Sequence, residues 1–242
     1  MLKVRVNGLT FSGYTTSGFL IGPDGFSGWT SGTDSKGQVV AREGAHGDFD
    51  LPVFRASRIV AISGQYLAES GEALAHAGAQ VTGLGASGGL VRVVVDYNGS
   101  TTWADARVVS QTQFDERGGQ RVADYQIQFK CADPRKFGES RTFASAVPAY
   151  HYGNFPAAPV FTITGARSGY TIPGPSGRSY VVTRAISGSE VHTVDMNDGL
   201  LRVNGAVVFG GVSQADTWAI PGGATVTHSL AGLVTRVTDT FV

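Results

Sequence analysis

Cysteine is nearly absent: Cys131 is the one thiol in 242 residues. No internal disulfide can form, oxidising export is not indicated, and no Cys/His array for structural zinc can be assembled. Neither sign of charge is in excess, with 19 basic against 19 acidic side chains. Without an evident basic face to neutralise phosphates or anionic lipid, nucleic acid and membrane surfaces are not expected partners. No apolar run is long enough to cross a bilayer, and the N-terminal "MLKVRVNGLTF" lacks the apolar core of a secretory signal, so a soluble protein is expected. Glutamate is scarce. Glu43, Glu69, Glu72, Glu116, Glu139 and Glu190 fall in expected loops, turns or exposed positions, where no acid/base pair for glycoside cleavage is apparent.

What is abundant is glycine, 34 residues, beside a charged fraction of only 16%. That balance suits a turn-rich β architecture rather than a helical bundle or a disordered chain. "LKVRVNG" turns Leu2, Val4 and Val6 inward and Lys3 and Arg5 outward, the period of two of a half-buried strand. "LVRVVVDY" (90–97) and "TTWADARVV" (101–109) flank Asn98-Gly99, a pair that tolerates positive φ and predicts a tight hairpin. "QRVADYQIQFKC" follows Gly118-Gly119 and alternates Tyr125, Ile127 and Phe129 with polar neighbours, so the three strands are expected to form a meander.

One segment reads as a helix. Leu74, Ala77, Val81 and Leu84 recur at helical spacing, Ser70 is placed to cap the start, and Gly83 or Gly85 to end it. Pro134, Pro148, Pro156 and Pro159 then mark a change in organisation. The expected division is an N-terminal β domain over 1–137, a connector over 138–158 and a C-terminal β-sandwich over 159–242. In the last of these, Asp198-Gly199 and Asn204-Gly205 are hairpin signals between short strands.

Several motifs resemble chemistry without its setting. "GLGASG" (83–88) fits G-x-G-x-x-G, but here a helix precedes it and a strand follows, the reverse of a dinucleotide site. The overlapping "GASGG" puts Ser87 at a nucleophile position, again without the strand-turn-helix elbow that exposes a hydroxyl. In "AREGAHGDFDLP", His46, Asp48 and Asp50 alternate, so on an extended segment they share a face and offer a divalent-ion site. No other histidine sits in a recognisable ligand pair, and a polar Gly/Asp loop feeding a buried strand is the reading preferred. No catalytic residue, cofactor or metal site is assigned. Tyr170 and Trp218, among the tyrosines and tryptophans, are candidates for stacking on a sugar ring.

The order of these landmarks carries a resemblance. "GDFDLPVFRASRIVAISG", the helix, a meander ending in "FKCADPRKFG", then "GNFPAAPVFTITG", "VDMNDGLLRVNG" and "WAIPGG" are similar to the distal tail proteins of long-tailed, non-contractile bacteriophages, over nearly the whole chain. The resemblance implies a mainly β protein. Its N-terminal domain would be a tail-tube-like β-sandwich with one helix, and its C-terminal domain a galectin-like or carbohydrate-module-like sandwich. It also implies a non-enzymatic virion protein, assembled in the host cytoplasm, whose homo-hexameric ring at the tail tip joins the tube to the baseplate. Implied partners are the tail tube protein, a tail-associated lysin-type hub protein, and a receptor-binding protein or host glycan. In such a ring Arg42, Asp48, Asp50 and Arg55, with Arg117 and Arg121 of "DERGGQRVAD", are the candidate interface residues, matched Arg/Asp pairs suiting a heterologous contact. Arg55 and Arg58 are available for pairing with acidic groups in the same or a neighbouring subunit.

Overall fold

The computed structural model describes residues 1–119 and 121–242, so Gln120 of the expected 115–124 hairpin lies outside the described residues. The chain divides into two compact units, Met1–Lys136 with Val242, and Phe137–Phe241.

The first unit contains β1 (Lys3–Val6), β2 (Leu9–Ser12), β3 (Gly18–Ser27), β4 (Ser35–Lys36), β5 (Phe54–Arg55), β6 (Arg58–Leu67), α1 (Gly71–Thr82), β7 (Val91–Tyr97), β8 (Ser100–Val108), β9 (Gln113–Glu116) and β10 (Val122–Cys131). Hydrogen-bonded neighbours run β8-β7-β1-β2-β3-β6-β10-β9, and a further pairing of β8 with β10 closes the sheet into a barrel. That closure is short, Phe129 opposite Val108 and Lys130 opposite Arg107. The expected meander is thus modified: β9 intervenes between β8 and β10 and pairs with β10.

The period-two pattern explains the barrel's interior. Val4, Val6, Phe11, Val60, Ile62, Val93, Val95, Ile127 and Phe129 are buried in one cluster, each worth about 1.5–3 kcal/mol once removed from water. At the β7–β8 turn Asn98 and Gly99 have φ of 49° and 83°, the two left-handed residues of a type I′ hairpin. Ser70 caps α1 by accepting from the Ala73 amide, and Leu74, Ala77 and Val81 form its buried stripe. Gly78 lies so close to the Phe114 ring of β9 that a Cβ would stand 3.0 Å from it.

The second unit contains β11 (Lys136–Ala144), β12 (Pro148–Tyr150), β13 (Val160–Ile163), β14 (Tyr170–Pro173), β15 (Ser179–Val182), β16 (His192–Asp195), β17 (Leu200–Val203), β18 (Ala206–Val207), β19 (Val212–Ala215), β20 (Thr225–Thr227) and β21 (Leu233–Phe241). One sheet runs β18-β17-β16-β13-β21-β11, a second β14-β15-β19, and β12 pairs with β20. Phe161, Ile163, Val194, Leu201 and Leu233 of the first sheet share a core with Tyr170, Ile172, Tyr180 and Val182 of the second. Two sheets facing across one core make this unit sandwich-like. Asn204 (φ 48°) and Gly205 (φ 86°) form the β17–β18 turn, as the sequence predicts.

The stretch 138–158, expected as a connector, holds β11 and β12. A buried network ties these strands to β21. Asp239 of β21 accepts from Arg141 of β11 and from the Tyr152 amide at 2.9 Å, and lies 3.3 Å from His151 Nδ1. The Arg141 guanidinium sits 4.9 and 4.7 Å from the rings of Tyr150 and Tyr152. Prolines here are placed at strand starts and bends, where a missing amide costs nothing.

Candidate assembly interface

Between β3 and β6 the first unit extends an arm. Its root is rigid. Gly28 has φ +79°, and any Cβ there would run into the Ile59 carbonyl oxygen, so the chain can leave β3 this way only with glycine. Next to it Trp29 is buried, its indole Nε1 donating to Thr102 Oγ1 at 3.1 Å. Arg58, buried at the start of β6, donates through Nη1 to the carbonyls of Gly28 (2.6 Å), Trp29 (3.3 Å) and Ser31 (2.8 Å), and through Nε to that of Pro134 (3.1 Å). Lys136 Nζ adds a 2.8 Å bond to the Trp29 carbonyl. Burial, together with the nearby Arg58 charge, pushes the Lys136 ammonium down to about 8. The sequence expectation for Arg58 is therefore corrected: its partners are carbonyls, because the segments it joins turn their backbone oxygens inward.

Beyond the root the arm is a hairpin. β4 and β5 pair through Ser35–Arg55 and Lys36–Phe54, and Arg55 Nη1 donates to the Thr33 carbonyl at 3.1 Å. Near the tip, Arg42 N bonds Gly47 O and Phe49 N bonds Val40 O, with Gly44 and Gly47 at positive φ. Arg42 lies over the Phe49 ring at 5.4 Å.

The arm exposes what a lone domain would bury. Val39 is 77% and Phe54 71% exposed, and Val40, Phe49, Leu51 and Val53 are also open to solvent. Lys36, Gly37, Gln38, Leu51, Pro52, Phe54 and Arg55 line a groove of about 760 Å³ on it. Apolar side chains gathered in the open on a polar hairpin make this the candidate surface for assembly. The sequence reading placed Arg42, Asp48, Asp50 and Arg55 in this segment but treated it as a loop feeding β6. The signal in the sequence is the alternation of Phe49, Leu51 and Val53 in "DFDLPVF", beside the adjacent Val39-Val40.

The other sequence candidates are placed as follows. His46, Asp48 and Asp50 are all exposed, and no group of three metal-ligating side chains occurs among the described residues. Arg117 is engaged within its own hairpin, Nε donating to Asp124 Oδ2 at 2.6 Å, which holds the Asp124 carboxyl below the usual carboxylate range. Arg121 is exposed at that hairpin's end. Ser87 lies in the exposed loop after α1, where Gly83 ends the helix. Tyr170 and Trp218 are 7% and 3% exposed, so the expected sugar-stacking role is corrected: neither ring presents a face to solvent. Both fill the second unit's core because each polar edge has a buried histidine partner, Tyr170 Oη 3.1 Å from His192 Nδ1, and Trp218 Nε1 donating to His228 Nε2 at 3.2 Å.

No family model and no curated protein matches the chain. Solved structures do. The SPP1 Dit protein, described as a paradigm of the hub adsorption apparatus in phages infecting Gram-positive bacteria, is similar over 100% of both chains with a TM-score of 0.79 and 14% identity. A chain of the phage P2 baseplate in its activated conformation with Ca is similar over 99% of this chain and 98% of that one, with a TM-score of 0.58 and 8% identity. The corresponding structure with Sr gives 98% of each chain, 0.56 and 11%. From end to end, the chain has the fold of a phage distal tail protein, the fold found in adsorption hubs and baseplates.

Proposed function

We propose that this chain is a structural virion protein of a long-tailed, non-contractile phage, a hub that joins the tail tube to the tip or baseplate. Copies assemble head to tail into a ring, six in number as the family resemblance implies, with the tail tube protein and a lysin-type hub protein as neighbours. A receptor-binding protein or host glycan is then engaged at the tip, and the protein performs no turnover. The single observation that supports this most is the end-to-end likeness to a hub protein, including both units. The arm adds a physical reason for self-association, since its exposed Val39, Phe49, Val53 and Phe54 gain from burial only against another surface. Light scattering of the untagged protein on a sizing column, followed by negative-stain imaging, tests the reading. Six-fold mass in ring-shaped particles is expected; a monomer at every concentration and salt would overturn it.

A further inference from the structure

The seam that closes the barrel carries an unusual row of side chains. Ile59 of β6, Lys130 of β10 and Arg107 of β8 are cross-strand neighbours, and Leu90 stands beside Arg107, one step beyond the Val91–Ala106 pair. Their inward neighbours Val60, Phe129 and Ala106 are buried, so alternation turns this row to solvent. Leu90 is 61% and Ile59 47% exposed, and Val109 at the end of the same strand is also open. Two cations thus face each other across adjacent strands, bracketed by bare aliphatic residues.

Like charges directly opposed on a sheet destabilise it unless something compensates. No carboxylate among the described residues pairs with either. Arg107 donates to the Gly88 carbonyl, and Lys130 has no carboxylate partner among the described residues. Asp105, two residues along the same face, is committed to Arg92 through bonds of 2.9 and 3.1 Å. Asp133 is likewise held by Arg135.

The arm presents the complement. Asp48 and Asp50 are exposed, neither carboxylate has a partner among the described residues, and Phe49 and Leu51 alternate with them. In extended chain, carboxylates two residues apart are spaced about 7 Å, close to the ~5 Å spacing of a cross-strand cation pair. An arm of roughly ten residues per leg reaches about 30 Å, comparable with the ~35 Å width of a unit this size. It is long enough to meet the seam of a neighbouring copy.

We propose that the Arg107/Lys130 seam, flanked by Leu90, Ile59 and Val109, is the receiving site for the Asp48 and Asp50 carboxylates of a second copy's arm. The proposal rests on the ring reading and specifies which two surfaces meet. The contact is heterologous, as a closed ring requires, because arm and seam are different patches of one chain.

The test is a charge swap in the full-length chain. Arg107→Glu with Lys130→Glu, or Asp48→Lys with Asp50→Lys, raises the concentration for half-assembly by tenfold or more, while far-UV circular dichroism stays that of the wild type. Combining the four substitutions restores assembly. As a second readout, carbodiimide coupling of mixed heavy- and light-isotope protein links the Lys130 peptide to the Asp48/Asp50 peptide between copies. A wild type that assembles while the charge-reversed proteins assemble equally well, and that gives no such cross-link, overturns the pairing but leaves the ring reading standing. A wild type that never assembles overturns both.

Discussion

Arg58→Met removes the clasp at the arm's root and keeps the aliphatic volume. In the native protein the guanidinium serves the carbonyls of Gly28, Ser31 and Pro134, and shares that of Trp29 with Lys136. Truncation leaves three partly buried acceptors without that donor, at up to about 1 kcal/mol each. The opposing effect is relief of a desolvated charge with no carboxylate beside it, since burial lowers the Arg58 pKa and its Nη2 is buried without a partner. Hydrogen bonds win in this balance because Gly28 and the buried Trp29 hold the chain in place, so that only the exposed Ser31 carbonyl turns freely to water. The net loss is about 1–2 kcal/mol. Denaturant unfolding followed by the fluorescence of Trp29 and Trp103 reads it as a lower midpoint at unchanged slope. Limited proteolysis then cuts between residues 30 and 57 faster than in the wild type. A variant as stable as the wild type, or more so, refutes the reasoning, and shows that burying the charge costs more than the bonds return.

Burial pushes His228 down to about 4 and lowers His192 too, with Glu190 and Arg184 the charges facing the latter. The unfolded chain therefore takes up these protons first. Second-unit stability is full above about pH 6.5 and falls as pH drops toward 4, by about 3 kcal/mol for His228 alone; Trp218 fluorescence during acid titration reports it, and His228→Phe flattens that limb. Gly28→Ala costs more than 3 kcal/mol or yields no soluble protein, whereas Gly8→Ala, equally left-handed at φ +85° but in open space, costs about 1 kcal/mol. Equal midpoints for the two would show that the Ile59 carbonyl can move aside. Trp218→Ala lowers the second unit's unfolding free energy by about 3–5 kcal/mol in a denaturant titration, through its cavity and the lost bond to His228.

The local structure was legible residue by residue. Alternation in "KVRV" and "YQIQF", the left-handed pairs Asn98-Gly99 and Asn204-Gly205, and the Ser70-to-Gly83 helix are properties of a few neighbouring residues, and each is found where the pattern puts it. Longer-range features were not. No spacing rule tells that Lys130 faces Arg107, because that register depends on how the whole barrel closes. The aromatic residues Tyr170 and Trp218 read equally well as binding platform or core, and only the histidines brought beside them decide for the core.

A mainly β chain with one helix, its hairpins, and the order of landmarks similar to a distal tail fold are all written in short stretches of sequence. Those are set by side-chain period, turn chemistry and caps, all short-range. Only the tertiary structure shows that Arg58 is buried among carbonyls, that the hairpin beyond the buried Trp29 exposes its apolar side chains, and that two cations meet at the barrel seam. The physical reason is that charge and hydrophobicity acquire meaning from what surrounds them, and the surroundings come from residues dozens of positions away.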